Sequence, residues 1–244
     1  MESLVGEEQD GGTICKATGY NLRMRVVGGA GPLAMIELPR LYAIVDAAFF
    51  PTSQAISAFA EELAAGGCSL LQYRNKSGDA RVMLEQAREL RRQFRAKAPA
   101  PHAPTLIMND RADLCILAEF DGVHVGQDDL LPESVRGILG SGRWLGVSTH
   151  NPEQVREADQ TSADYLAIGP VFSTSSKDRP DPVVGLEGVR RARSLTRKPL
   201  VAIGGITRGN AASVIEAGAD SVAVISDLLR EPRKSAEEFF RVLR

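Results

Sequence analysis

The sequence has few of the features that mark a protein for export, for a membrane or for nucleic acid. Its three cysteines, Cys15, Cys68 and Cys115, are an odd number with no Cys-x-x-Cys spacing, which argues against a disulfide framework or a zinc knuckle. Cys68 and Cys115 stand in apolar stretches and read as small buried hydrophobes. Neither sign of charge is in excess: 29 Lys and Arg against 31 Asp and Glu leave a net charge of −2. No basic field therefore advertises nucleic acid or an anionic membrane. No apolar run approaches the roughly 18 residues that a spanning helix needs. The first 30 residues carry Glu7, Glu8, Asp10 and a Gly-Gly pair in place of the basic-then-apolar order of a secretory signal, so the expected location is cytoplasmic. No pair of histidines has metal-ligand spacing and no Ser-His-Asp or Cys-His order stands out, which disfavours nucleophilic hydrolysis.

What is present suits a globular chain. A hydrophobic share of 43% with 25% charged residues is too apolar for disorder. At 244 residues the chain can hold one or two ordinary domains, or a single α/β barrel. Residues 1–38 have no sustained periodicity, are rich in glycine and read as a weakly ordered N-terminal extension. The regular pattern starts at Met35, which motivates the hypothesis that translation begins there and that the preceding 34 residues are an artefact of start assignment. Mass spectrometry of the protein from its native source tests this, and an intact Met1 terminus refutes it.

From residue 40 onward short apolar runs recur at 41–45, 69–73, 105–108, 122–125, 144–148, 164–168, 200–203 and 221–225. Their near-continuous apolar character is that of parallel strands covered on both faces. Helical stretches fall between them, among others at 53–65, 79–97, 111–119, 151–159, 186–196 and 207–217. Gly66-Gly67 and Gly218 are helix stops, and Asn151-Pro152 is a helix start. Eight strand–helix units predict a closed (β/α)8 TIM barrel over residues 39–244. The competing doubly wound open sheet is disfavoured because no Gly-x-Gly-x-x-Gly follows the first strand.

In such barrels chemistry gathers at the C-terminal ends of the strands. Strand 2 runs out into Gln72-Tyr73-Arg74-Asn75-Lys76, and a period of two puts Gln72, Arg74 and Lys76 on one face. Two convergent cations, if buried, call for an anionic ligand such as a phosphate or carboxylate. The ends of strands 3 and 4 bring Asp110 beside Asp129 or Asp128, spacing alone not deciding which. Paired carboxylates repel unless separated, protonated or bridged by a cation, and magnesium is commonly held by one or two carboxylates plus substrate phosphates. The plainer alternative makes Asp110 the N-cap of the next helix. Gly204-Gly205 after strand 7 and Ser226 after strand 8 suit the phosphate site common in barrels. The long segment after strand 6, with Thr174, Ser175, Ser176 and Lys177, has the length of a lid. Of the histidines, His102 reads as exposed loop, His124 as a satisfied core residue, and His150 as a candidate for acid–base work.

Taken in order, QYRNK, NDRADL, GVHVGQDDL, GVSTHN, AIGPVFSTSSK and VAIGGI followed at fixed distance by SVAVIS resemble the thiamine-phosphate synthase family, over about residues 40–240. The resemblance implies coupling of 4-amino-2-methyl-5-(diphosphooxymethyl)pyrimidine to a thiazole phosphate, with release of pyrophosphate. It implies that Gln72, Tyr73, Arg74, Asn75, Lys76 and Asn109 match the contacts to the pyrimidine diphosphate, with Arg74 and Lys76 on the diphosphate itself. Asp110 and Asp129 match the Mg2+ ligands, the family spacing selecting Asp129. Ser148 matches a pyrimidine-site residue, and Lys177 a diphosphate contact and third catalytic cation. Thr174, Ser175, Ser176, Gly205, Ile225 and Ser226 match the thiazole phosphate site. Tyr73 and Asn75 depart from the more usual Leu and Glu, and their side chains are expected to point away from the mouth. The implied partners are the two small-molecule substrates, with no nucleic acid and no membrane; a homo-oligomer is compatible with the sequence, which leaves oligomeric state open. Two alternatives are a thiazole tautomerase of the same barrel family and a non-catalytic sensor of a phosphorylated ligand. Neither needs Arg74, Lys76, Asp110, Asp129 and Lys177 together.

Overall fold

A computed structural model describes residues 36–76, 78–97, 103–174 and 181–244. Among these residues eight parallel strands, each hydrogen-bonded to the next and the last to the first, close a barrel. They are β1 (Leu41–Asp46), β2 (Leu70–Arg74), β3 (Thr105–Asn109), β4 (Gly122–Val125), β5 (Trp144–Thr149), β6 (Tyr165–Ile168), β7 (Leu200–Ile203) and β8 (Ser221–Val224). Closure is made where Leu41, Tyr42 and Ala43 pair with Val222, Ala223 and Val224. The (β/α)8 expectation holds and the open sheet is excluded.

The helices follow their strands: α1 (Ser53–Ala65), α2 (Ala80–Lys97), α3 (Ala112–Leu117), α4 (Pro132–Leu139), α5 (Pro152–Asp159), α6 (Gly185–Leu195), α7 (Ala211–Glu216) and α8 (Pro232–Val242). Local chemistry explains several ends. The Thr52 hydroxyl accepts from the Ala55 N–H at 3.2 Å and opens α1. The Asn151 carboxamide does the same for Gln154 at 2.9 Å and opens α5, with Pro152 in the first turn. Gly67, at φ +98°, and Gly218, at φ +110°, take the left-handed turns after α1 and α7. Helices α4 and α8 were not among those singled out from the sequence.

The period-two alternation of each strand sorts its side chains into two cores. Leu41, Ala43 and Val45 of β1 face the helices with Leu71, Leu106, Val123 and Leu166. Tyr42 and Ile44 face inward with Leu70, Ile107, Tyr165, Ala167, Val201 and Ala223. Leu38 belongs to this inner cluster and Ile36 packs on it, so the packing reaches back ahead of the boundary drawn at residue 39. Cys68 and Cys115 are buried free thiols, as their apolar surroundings suggest, and burial pushes each thiol up to about 12. Cys15, His102 and the extension through residue 35 lie outside the described residues.

Candidate functional site

One cleft opens at the C-terminal ends of the strands. It is lined by Gln72, Arg74, Lys76, Asn109, Asp110, Asp129, Ser148, Thr174, Gly205, Ile225 and Ser226, together with Tyr42, His124, Gly126, His150 and Gly204. The alternation predicted for strand 2 is therefore correct: Gln72, Arg74 and Lys76 share the mouth.

Tyr73 and Asn75 do not join them. Tyr73 is buried in the outer core and its hydroxyl donates to Gln86 Oε1 on α2. The Asn75 carboxamide donates to Tyr73 and Gln86, at 3.3 and 3.2 Å, and accepts from the Gly78 N–H at 2.8 Å. Both side chains point away from the mouth, as expected of them, and support the β2 loop from behind. Ser175, Ser176 and Lys177 lie outside the described residues.

Both cations in the mouth have carboxylate partners within the chain, so their convergence alone does not demand an external anion. Lys76 Nζ sits 2.5 Å from Asp110 Oδ2, with Lys76 half in solvent. Arg74 donates to Asp46 Oδ2, while Asp46 Oδ1 accepts from the Ala48 N–H at 3.1 Å. Asp46 is buried at the end of β1, a strand end with no candidate among the sequence expectations. Its signal was available, because Tyr42, Ile44 and Asp46 are spaced by two and must share the inner face.

Asp110 has a left-handed backbone at φ +61°, uncommon for a side chain other than Asn or Asp. Its N–H donates to the His124 carbonyl at 2.8 Å as the chain leaves β3. It is not a helix cap: the capping position of α3 is Arg111, without a side-chain capping bond. Asp129 rather than the exposed Asp128 faces the cleft, its Oδ2 fixed by the Gly126 N–H at 2.7 Å. Asp110 and Asp129 line the same cleft and lie near enough for each carboxyl to feel the other. Burial raises the Asp110 carboxyl above the usual carboxylate range, the Lys76 hydrogen bond opposes this, and the neighbouring Asp129 adds to it.

Asn109 Nδ2 is buried and finds no hydrogen-bond partner among the described residues. A buried amide donor left unmet is costly, and in a cleft wall it marks a place for a ligand acceptor.

Gly204 and Gly205 have φ of +101° and +63°. A Cβ on Gly204 would lie 2.5 Å from Pro170 Cβ, and one on Gly205 2.5 Å from the Ser173 carbonyl oxygen. Glycine is needed here for its backbone and for close packing under the β6 loop, besides any room it leaves for an anion. Ser226 starts a 3-10 turn at the end of β8.

His124 is satisfied, as expected: Nδ1 is 3.1 Å from the Tyr165 hydroxyl and Nε2 is 2.9 Å from Ser148 Oγ. His150 places Nδ1 2.6 Å from the Gly169 carbonyl and Nε2 3.5 Å from Asp181 Oδ2. The Nδ1 contact ties β5 to the β6 loop, and Nε2 is turned toward Asp181.

Residues 41–228 match the family model described as thiamine monophosphate synthase. The chain is 59% identical over 211 residues to the thiamine-phosphate synthase of Koribacter versatilis, covering 85% of this chain and 97% of that one. It is 42% identical over 187 residues to the thiamine-phosphate synthase of Chloroflexus aurantiacus, covering 77% and 83%. Among solved structures it superposes on a thiamine phosphate pyrophosphorylase from Pyrococcus furiosus with a TM-score of 0.72 and 32% identity, over 84% of this chain and 95% of that one. With its strand ends, paired aspartates and glycine turn in these positions, the chain belongs to the thiamine monophosphate synthase family.

Proposed function

We propose that this barrel joins 4-amino-2-methyl-5-(diphosphooxymethyl)pyrimidine to a thiazole phosphate, giving thiamine phosphate and pyrophosphate. One observation carries the reading: the Asp110–Asp129 pair, with Arg74 and Lys76 beside it, shares a single cleft with the Gly204-Gly205 turn and Ser226. Two separate anionic groups can be received in one mouth, as a diphosphate donor and a phosphorylated acceptor require.

The Asp110–Asp129 pair fits Mg2+. Two hard oxygen donors face the same cleft, and one is raised by burial and by the other's charge, a strain that a divalent cation relieves. Bound there, Mg2+ supplies charge neutralisation to a leaving diphosphate. Arg74 and Lys76 add fixed positive charge at the same group, and Lys177 joins them from the β6 loop. Gln72, Asn109 and Ser148 hold the pyrimidine, with the unmet Asn109 amide as a donor to the ligand. Thr174, Ser175, Ser176, Gly205, Ile225 and Ser226 receive the thiazole phosphate.

The C–O bond to diphosphate breaks first, both electrons leaving with the oxygen, and the amino group of the ring stabilises the cation left behind. The thiazole nitrogen lone pair then forms the C–N bond. No proton needs to move in either step. We take the barrel as the catalytic domain of a cytoplasmic enzyme whose partners are these two small molecules. No helix among the described residues is long and apolar enough to cross a membrane.

The test is to incubate the full chain with both substrates and Mg2+ and to follow pyrophosphate and thiamine phosphate together. Equal release of both, abolished by EDTA, is expected. Thiazole phosphate binding without either product would refute the reading.

A further inference from the structure

Five side chains on the inner face of the barrel are joined in one hydrogen-bonded line that runs from one wall of the cleft to another. Gln72 Nε2 donates to the Tyr42 hydroxyl at 2.8 Å. The Tyr42 and Tyr165 hydroxyls are 3.1 Å apart. Tyr165 reaches His124 Nδ1 at 3.1 Å, and His124 Nε2 reaches Ser148 Oγ at 2.9 Å. Tyr42, Gln72, His124 and Tyr165 are buried, in a layer otherwise filled by Leu, Ile, Val and Ala side chains. A polar line through an apolar layer is costly unless each member is satisfied, so its members constrain one another. Gly146 makes room for it: a Cβ there would fall 2.1 Å from Tyr165 Cζ and 2.4 Å from His124 Nδ1.

The line has a direction. A hydroxyl has one hydrogen to give. If every hydrogen in the line is given within it, then with Gln72 donating to Tyr42 the Tyr42 hydrogen goes to Tyr165, and the Tyr165 hydrogen to His124 Nδ1. In that arrangement Nδ1 is bare, and Nε2 carries the ring hydrogen and gives it to Ser148 Oγ. Burial pushes both phenols well above their ordinary range, which keeps them hydrogen-bearing. The ends that reach the cleft are left with opposite polarity: Gln72 presents its carbonyl oxygen, an acceptor, and Ser148 presents its hydroxyl hydrogen, a donor.

We propose that Tyr42, Tyr165 and His124 are positioning residues that set this polarity, so that the cleft selects a ring carrying an amino group and bare ring nitrogens over its oxo counterpart. An aminopyrimidine offers N–H donors and nitrogen acceptors; the 4-oxo form replaces the amino donor by an acceptor and a bare nitrogen by N–H. The inference rests on the pyrimidine reading of Gln72 and Ser148 given above, but its first test does not.

That test is the tautomer of His124 in the ligand-free full chain, read from 15N shifts of labelled histidine, with the His124 signal assigned by its loss in His124→Gln. A neutral ring protonated at Nε2 is expected, and one protonated at Nδ1 overturns the proposal. The second test is equilibrium binding of the aminopyrimidine diphosphate and its 4-oxo counterpart. The folded wild type should prefer the amino form by roughly a hundredfold, since a site built to hydrogen-bond one pattern strongly rejects its reverse. Tyr165→Phe keeps the packing but withdraws the hydrogen from His124 Nδ1, and Tyr42→Phe cuts the line one step earlier. Each should reduce the preference at least fivefold, and Tyr165→Phe should also populate the second tautomer. A merely structural role would lower stability with the preference ratio unchanged, and that result in both variants overturns the proposal. If neither pyrimidine binds the wild type, the pyrimidine reading and the selectivity fall together, whereas the tautomer still reports on the line itself.

Discussion

The guanidinium of Arg74 at the cleft mouth is held by the buried carboxylate of Asp46, one strand away. The pairing converts a flexible cation into a fixed one, because Asp46 is itself held by the Ala48 N–H. Fixed charge is worth more to a developing diphosphate than charge that must reorganise. Asp46→Asn removes the countercharge and keeps the shape. It should raise KM for the pyrimidine diphosphate at least tenfold. The cost in stability should be about 1–3 kcal/mol, less than for a fully buried pair, because Arg74 faces an open cleft. Steady-state kinetics and denaturant unfolding check both, and an unchanged KM would mean that Arg74 needs no anchor.

Asp129→Asn separates metal binding from folding. An Asn oxygen can still accept from the Gly126 N–H, and its amide can donate to Asp110. Removing one of two neighbouring carboxyls also removes their repulsion. The variant should therefore be at least as stable as the wild type in EDTA while turnover falls by two or more orders of magnitude. Mg2+ should raise Tm of the wild type and leave that of the variant unchanged. A variant that retains turnover, or still gains Tm from Mg2+, would refute Asp129 as a ligand.

The barrel was legible because its strands are short apolar runs at regular spacing, a pattern that parallel strands covered on both faces impose. The candidate site was legible where side chains follow the strand period, as at Gln72, Arg74 and Lys76. It was not legible from spacing where identical residues compete: Asp128 and Asp129, which the family resemblance separates, are told apart physically by the turn in which Gly126 donates to one of them. Nor was it legible where partners meet from distant strands. Asp46 is the last residue of an apolar run, and its partner is 28 positions away. Tyr42 and Tyr165 are 123 positions apart and read singly as core aromatics. The tight turn that keeps Gly204 and Gly205 free of side chains also involves Pro170 and Ser173, on a separate loop.

Lys177, matched to the family's diphosphate contact, gives a prediction that rests on the reaction rather than on the described geometry. Lys177→Ala should reduce turnover by orders of magnitude, with circular dichroism and Tm unchanged. Near-normal turnover would remove it from the leaving-group site.

Gly205→Ala tests the glycine turn. A φ of +63° costs an alanine about 1 kcal/mol, and the new Cβ must also push against the Ser173 carbonyl. Unfolding free energy should fall by about 2 kcal/mol or more. Binding of the thiazole phosphate should weaken more than that of the pyrimidine diphosphate, since the displaced loop belongs to the phosphate end. Equal weakening of both would mean that the turn supports the cleft as a whole.

The buried thiols give the alkaline limb of stability a definite sign. Burial disfavours the thiolate, so Cys68 and Cys115 are pushed up to about 12 in the folded chain, against about 8.5 when unfolded. Below the unfolded value both states bind the proton equally and the contribution is fully present. Between there and about 12 only the folded state keeps it, so stability is lost as pH rises, by up to about 1.4 kcal/mol per pH unit for each thiol. Denaturant midpoints should fall between pH 8.5 and 10.5, and the fall should be shallower in a Cys68→Ala, Cys115→Ala variant. At pH 8 two of the three thiols should resist a thiol reagent until denaturant is added. Rapid labelling of all three in the folded chain, or an unchanged alkaline slope in the variant, would refute the assignment.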